Sequence, residues 1–177
     1  MNTWIISDTH FGHANIIEYC NRPFRNVEEM NEELIKRWNS VVGKDDVVWH
    51  LGDFGMGNKE YITNLVHSLN GRIFLIQGNH DNHTVAWYYD CGFERVYDRP
   101  IIIDDYFILS HRPRAVGANL YGYLYGHVHN DDLYKDYTSN TCCVCVERQN
   151  YTPILLEEAK QKMYDYNKIS NRGKKNV

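Results

Sequence analysis

Apolar runs of strand length recur along the chain at residues 4–7, 47–50, 73–77, 101–103, 107–110, 123–125 and 142–147, each ended by a polar or glycine-bearing turn. Short runs bounded in this way predict strands. Helical patterns lie between the first three. Residues 27–41 set Met30, Leu34, Ile35, Trp38 and Val41 at helical spacing behind Asn26, a residue suited to an N-cap. Residues 58–69 bring Ile62, Leu65, Val66 and Leu69 to one side, and a further helix is predicted over 155–169 after Pro153. Strand-helix alternation followed by closely spaced strands predicts an α/β domain that passes from crossover units to meandering strands. The segment 112–122, with Pro113, Gly117 and Gly122, reads as a loop. Stretches 15–26 and 82–92 read as mobile or helical insertions near the same edge.

Composition changes this picture little. A chain of 177 residues is one domain by length, placed at 1–170, and is long enough to bury a core. The tail 171–177 carries three basic residues and no periodicity, so it is expected to be disordered. A net charge of −4 argues against a general nucleic-acid surface, although bound metal reverses a local field. The first residues hold no basic stretch followed by an apolar run, so a cytoplasmic protein without a membrane span is expected. Five cysteines without a secretion signal are expected to be reduced. Cys142 and Cys145 have Cys-x-x-Cys spacing, but no second pair completes a zinc site, and they read as small apolar residues of a buried strand.

Chemistry enters at the strand ends. Five motifs each follow an apolar run: Asp8-Thr9-His10, Gly52-Asp53, Gly78-Asn79-His80-Asp81, Ser110-His111 and Gly126-His127-Val128-His129. Ligand sites of open α/β sheets form at the carboxyl ends of strands, so five such motifs point to one cleft. Two residues apart in an extended segment, Asp8 and His10 leave the same face, and so do His127 and His129. Mixed oxygen and nitrogen donors suit Mn, Fe or Zn better than Mg. The Asp53 carboxylate has two oxygens and can bridge two metals. Asn79 donates a neutral oxygen and keeps the second metal a strong Lewis acid.

In this order the motifs resemble the signature of the calcineurin-like metallophosphoesterase superfamily, over about residues 3–157. The resemblance implies a four-layer α/β sandwich, two mixed β-sheets packed face to face and flanked by helices. It also implies a dinuclear site, with Asp8, His10, Asp53 and His129 on one ion and Asp53, Asn79, His111 and His127 on the other. The ions expected are Mn²⁺ first, with Fe, Zn or Ni as alternatives. A metal-activated hydroxide would attack phosphorus, and His80, held by Asp81, would serve the leaving oxygen as the catalytic pair.

Other residues carry weaker signals. His13 is a candidate for substrate phosphate or for a local hydrogen bond at a helix start. Arg112, and less so Arg22, can clamp a phosphate, although Arg112 is expected to be solvated, since neighbours on a strand point oppositely. His50 reads as a packed histidine, and His67 and His83 read as surface residues. Phosphoprotein phosphatases of the superfamily carry arginines around the second and third motifs. Here the stretches are Gly52-Asp-Phe-Gly-Met-Gly57 and Gln77-Gly-Asn-His80, which favours a small phosphoester or nucleotide, diester or monoester. The pocket is then expected from the loops 11–26, 54–58, 82–92 and 112–122, or from a second copy of the chain. A non-catalytic scaffold of the same fold, and a nuclease, are the alternatives.

Overall fold

The computed structural model of the chain describes residues 1–113 and 121–173, with side chains through residue 166. The first sheet contains β1 (Thr3–Ile6), β2 (Val47–His50), β3 (Arg72–Ile76) and β4 (Arg95–Tyr97), all parallel. Their spatial order is β4-β3-β2-β1, and a short antiparallel strand β9 (Ile154–Leu155) closes the edge beside β1. The second sheet runs in chain order through β5 (Ile101–Ile103), β6 (Phe107–Ser110), β7 (Gly122–Tyr125) and β8 (Thr141–Cys143). Its last three strands are parallel and β5 is antiparallel. Both sheets are therefore mixed, as expected.

Alternation along the strands builds two cores. Ile6, Val48, Ile73 and Leu75 face the helices α2 (Val27–Val41), α3 (Lys59–Ser68) and α4 (Val85–Asp90), whose buried residues include Met30, Leu34, Trp38, Ile62, Leu65, Val66 and Tyr88. Ile5, Val47, Trp49 and Ile76 face the other way and meet Leu109, Leu124 and Cys142 of the second sheet. Leu156, Ala159 and Met163 of α5 (Leu156–Gly173) join that inter-sheet core. Because β2 is covered on both faces, all four of its residues are buried, which is why it reads as an unbroken apolar run.

The predicted helices form for the expected reasons. Asn26 accepts a hydrogen bond from the Glu29 N–H at 2.8 Å, and Asn58 caps α3 by accepting from Tyr61 N–H at 2.8 Å. The stretches 15–26 and 82–92 each contain a short helix, α1 (Asn15–Tyr19) and α4. All five cysteines are free and buried. Among the described residues, no helix is long and apolar enough to cross a membrane.

Three details differ from expectation. Strands β4 and β9 hold only three and two residues, and no apolar run marks them; pairing with β3 and β1 makes them strands. The run 142–147 is not one strand. After β8 the chain crosses to the first sheet, where Val144 C=O accepts from Ser7 N–H at 3.0 Å and Val146 N–H donates to Ser7 C=O at 3.1 Å, before a 3₁₀ turn at Val146–Arg148. Its apolar character comes from burial in this seam. The tail is also shorter than expected: α5 continues through Gly173, so residues 171–173 are helical. Residues 174–177, and 114–120 within the expected loop 112–122, lie outside the described residues.

Candidate metal centre

The loops that leave β1, β2, β3, β6 and β7 bring all seven expected ligand residues together, though by a different backbone route. Asp8, His10, Asp53, His127 and His129 all take positive φ, between 46° and 74°. The extended geometry expected for Asp8 with His10, and for His127 with His129, is therefore absent. These pairs converge because each residue turns in the left-handed region, which costs roughly 1–2 kcal/mol per residue and suits Asp and His better than branched residues. The turns are held in place from outside. Asp8 N–H donates to Gly52 C=O at 2.9 Å and His10 N–H to Asp53 C=O at 3.0 Å, so the first two loops brace each other. Gly52 (φ +96°) has no room for a side chain, since a Cβ there would lie 2.5 Å from the Gly78 nitrogen.

Hydrogen bonds to the other atom of the side chain aim several of the donors. Asp8 Oδ2 accepts from the Ser7 hydroxyl and from His127 N–H, leaving Oδ1 buried and without a partner. His111 Nδ1 donates to Leu51 C=O at 2.8 Å, which frees Nε2. That Nε2 lies 3.0 Å from Asn79 Oδ1, 3.2 Å from His127 Nδ1 and 3.4 Å from Asp53 Oδ2. Asp53 Oδ1 accepts from His80 N–H at 2.8 Å, so Oδ2 remains, and it also lies 3.5 Å from His10 Nε2. His129 Nδ1 donates to Glu147 Oε1 at 2.9 Å, and its Nε2 sits 3.8 Å from Asp8 Oδ1.

Among the described residues three groups have ligand atoms within 4.8 Å of one another: the triads Asp8-His10-His129 and Asp53-His111-His127, formed by expected ligands, and Cys20-His129-Glu147 behind the first. Asp53 Oδ2 lies between the two triads. Buried Asp8 Oδ1 and His10 Nε2 both lack a hydrogen-bond partner, although buried polar atoms are normally satisfied. The donor set of carboxylate, amide and imidazole fits divalent cations at both triads.

Charge within the site follows from burial. Desolvation pushes His10 down to about 2, and desolvation with the neighbouring His111 pushes His127 down to about 4, so both are neutral donors. Burial disfavours the charged forms of Asp53 and His111, yet their mutual attraction holds the Asp53 carboxyl low and raises His111. Burial raises the Asp8 carboxyl. Burial also opposes charge on His129, but Cys20, Glu147 and Asp8 push it up to about 11.

Two expected roles are corrected. Asp81 does not hold the His80 ring. Its Oδ2 accepts from Asp53 N–H (2.7 Å) and Gly78 N–H (2.8 Å), and its Oδ1 from Phe54 N–H (3.1 Å). It pins the second and third loops together, while His80 stands exposed on the rim with its ring 5.3 Å from that of His10. Arg22 is no phosphate clamp. It is buried, donating to the carbonyls of Asp8 (2.7 Å) and Thr9 (2.8 Å) and to Glu147 Oε1 (2.7 Å).

Of the other candidates, His13 is half-buried, with Nδ1 3.4 Å from His10 Nδ1, and its backbone accepts from Ile16 N–H near the start of α1. Arg112 is exposed, as expected, but lines a cleft of about 370 Å³ with Asn79 and His111. His50 is packed and neutral, stacked on Trp38; it accepts from Gly52 N–H (3.2 Å) and bonds Thr9 Oγ1 (2.9 Å), which donates to Phe54 C=O (2.7 Å).

Sequence reasoning did not find Glu147. It sits 125 residues from its partner Arg22, in a 3₁₀ turn that looked like strand. A buried carboxylate next to a cluster of imidazoles is its only signal, and that needs the fold to be seen.

Comparison with known proteins agrees with this geometry. The calcineurin-like phosphoesterase family matches residues 1–141, and the chain belongs to that family. An uncharacterized protein of Methanocaldococcus jannaschii, MJ1445, is 40% identical over 163 residues, which cover 87% of this chain and 86% of that one. The Gene 66 protein of Mycobacterium phage L5 is 45% identical over 86 residues, 45% of this chain and 40% of that protein. Among solved structures, a protein of unknown function from Aquifex aeolicus, AQ665, superposes with a TM-score of 0.70 at 25% identity, covering 90% of this chain and 98% of that one.

Two predictions follow from the bracing. Glu147→Gln keeps the volume but loses the charge that orients His129, so Mn²⁺ affinity should fall roughly 10- to 100-fold with the fold intact. Titration calorimetry checks it, and unaltered affinity would remove Glu147 from the bracing of the site. His50 is pushed down to about 3 by burial, so the folded chain refuses a proton that the unfolded chain takes below about 6.5. Its stabilising contribution is complete above that value and declines by about 1.4 kcal/mol per pH unit as pH falls toward 3. In urea unfolding of metal-free protein between pH 7.5 and 5, His50→Gln should flatten the pH dependence by one proton; an unchanged slope places that proton elsewhere.

Proposed function

We propose that this chain is a dinuclear metal-dependent phosphoesterase acting on a small phosphodiester or phosphomonoester, nucleotides included. The observation that carries the reading is Asp53 Oδ2, lying 3.5 and 3.4 Å from the Nε2 atoms of His10 and His111 and so shared by the two triads. Asp8, His10, Asp53 and His129 would hold one cation, and Asp53, Asn79, His111 and His127 the other. With four imidazoles among seven donors, Mn²⁺ is favoured over Mg²⁺, with Fe, Zn or Ni as alternatives. When bound, such a pair supplies Lewis acidity and a strong nucleophile near neutral pH.

The chain's own residues do the remaining work. His80 stands exposed next to His10 and is placed to give a proton to the leaving oxygen. Asp81 acts through the backbone of Asp53, Phe54 and Gly78, so it is a positioning residue. Arg112 lines the cleft beside Asn79 and His111, and the His13 ring lies 6.1 Å from that of His80; both are assigned to the phosphate oxygens that do not react.

Assay of the Mn²⁺-loaded protein with a chromogenic bis-ester and mono-ester tests the reading. Turnover of either is expected, and their ratio decides diester against monoester; turnover of neither points to a scaffold that kept only the fold. His80→Ala should retain metal and lose roughly 10²- to 10⁴-fold in turnover of esters with poor leaving groups. Asp53→Ala should instead lose metal, and a fully loaded variant would sink the bridging role.

A further inference from the structure

A cleft of about 200 Å³ opens next to His80 on the side away from Asn79 and His111, and the metal centre does not account for it. Gly55, Met56 and Gly57 form one wall, while His83, Trp87 and Tyr88 form the other. The His83 ring lies flat on Trp87, with centroids 3.8 Å apart and planes 16° from parallel. Tyr88 meets Trp87 edge-on at 5.0 Å, and Phe93 in turn braces Tyr88.

The platform is fixed to the reaction centre through the backbone. Gln77 Nε2 donates to the carbonyls of Asp81 (3.0 Å) and His83 (2.8 Å), and Thr84 Oγ1 accepts from Trp87 N–H at the start of α4. His83 itself is exposed and Trp87 is half-buried, so the pair stands at the solvent edge of the cleft. The lining of this cleft contains no Lys, Arg, Asp or Glu. The cleft on the Asn79–His111 side differs, for it contains Arg112 together with Arg99, the latter paired with Asp98 at 2.9 Å. Flat aromatic rings recognise another flat ring by stacking, and they tolerate any base because every base has a π-face.

We infer that His83 and Trp87 form a base-stacking subsite for the leaving group of a nucleotidyl phosphodiester. This rests on the phosphoesterase reading above. The phosphorus–oxygen bond to the nucleoside breaks, water supplies the new oxygen on phosphorus, and His80 passes a proton to the departing nucleoside oxygen. The remaining phosphomonoester leaves along the arginine-bearing cleft. The same ring could come from a dinucleotide or from the end of a nucleic acid strand; the chemistry of recognition is shared.

The test compares a dinucleoside monophosphate with its counterpart lacking the leaving-side base, using Mn²⁺-loaded protein. The unaltered chain should prefer the complete dinucleotide. In His83→Ala and Trp87→Ala the kcat/KM ratio between the two diesters should fall about tenfold or more, mostly through KM. Trp87→Phe, which keeps a ring and guards against misfolding, should retain most of the preference. Free adenosine should quench tryptophan fluorescence in the unaltered chain and not in Trp87→Phe, a readout that requires no turnover. An unchanged ratio together with absent quenching overturns the subsite. Failure of every phosphoester to react, with quenching intact, would instead overturn the phosphoesterase reading alone. A longer oligonucleotide as third substrate separates the sources: a KM well below that of the dinucleotide assigns strand ends, and equal values assign the small diester.

Discussion

The structure depends on holding carboxylates and imidazoles close together in a buried space. Asp8 Oδ1 and His10 Nε2 are buried there without a hydrogen-bond partner, and Asp53 Oδ2 lies 3.5 and 3.4 Å from the Nε2 atoms of His10 and His111. Side chains alone would relax away from one another. They stay because the strand-end loops are bonded to each other through their backbones and through buried polar groups. Arg22 holds the carbonyls of Asp8 and Thr9, Asp81 holds the nitrogens of Asp53, Phe54 and Gly78, and His50 with Thr9 ties Gly52 to Phe54. The left-handed turns at five of the seven donors are the strain that this bracing sustains.

The site also straddles two sheets. Asp8, His10, Asp53 and Asn79 leave the first sheet, whereas His111, His127 and His129 leave the second. Each triad therefore contains donors from both, and the inter-sheet core sets their separation. The seam at Ser7 makes the coupling direct. Ser7 bonds the crossing segment through Val144 and Val146, and its hydroxyl bonds the carboxylate of Asp8 next to it. His127 N–H reaches the same Asp8 oxygen from the second sheet. Glu147, just past the crossing, orients His129 and binds Arg22, so one short segment fixes donors on both sides.

Much of this was legible in the sequence where one segment carries its own signal. Helix α2 was, because Asn26 caps it and Met30, Leu34 and Trp38 repeat along one face. The donors were, because each stands directly after a buried strand. The route by which they converge was not: side-chain alternation describes extended backbone, and these residues turn left-handed. Asp81 was misread because adjacency in sequence suggested a contact with His80, whereas its oxygens reach back 27 and 28 residues to the second loop. Arg22 with Glu147, and β4 with β3, depend on partners elsewhere in the chain, which no local pattern encodes.

The division between buried and exposed parts explains why the reaction is easier to read than the substrate. Asp8, His10, Asp53, His111 and the braces Asp81 and Arg22 are buried, so their residue types are narrowly determined: an apolar or longer side chain at Gly52, Asp81 or Arg22 would leave buried N–H or C=O groups without partners or have no space. His80, His83 and Arg112 lie on the rim, where solvent satisfies whatever the substrate does not. Nothing in the packing demands those residue types. An exposed histidine lying flat on Trp87 gains the modest stabilisation of a stacked ring pair and also leaves an aromatic surface at the edge of a cleft. The same logic separates the two clefts: Asp98, Arg99 and Arg112 line one and aromatic rings line the other, so the two sides of the centre present different chemistry to whatever binds between them.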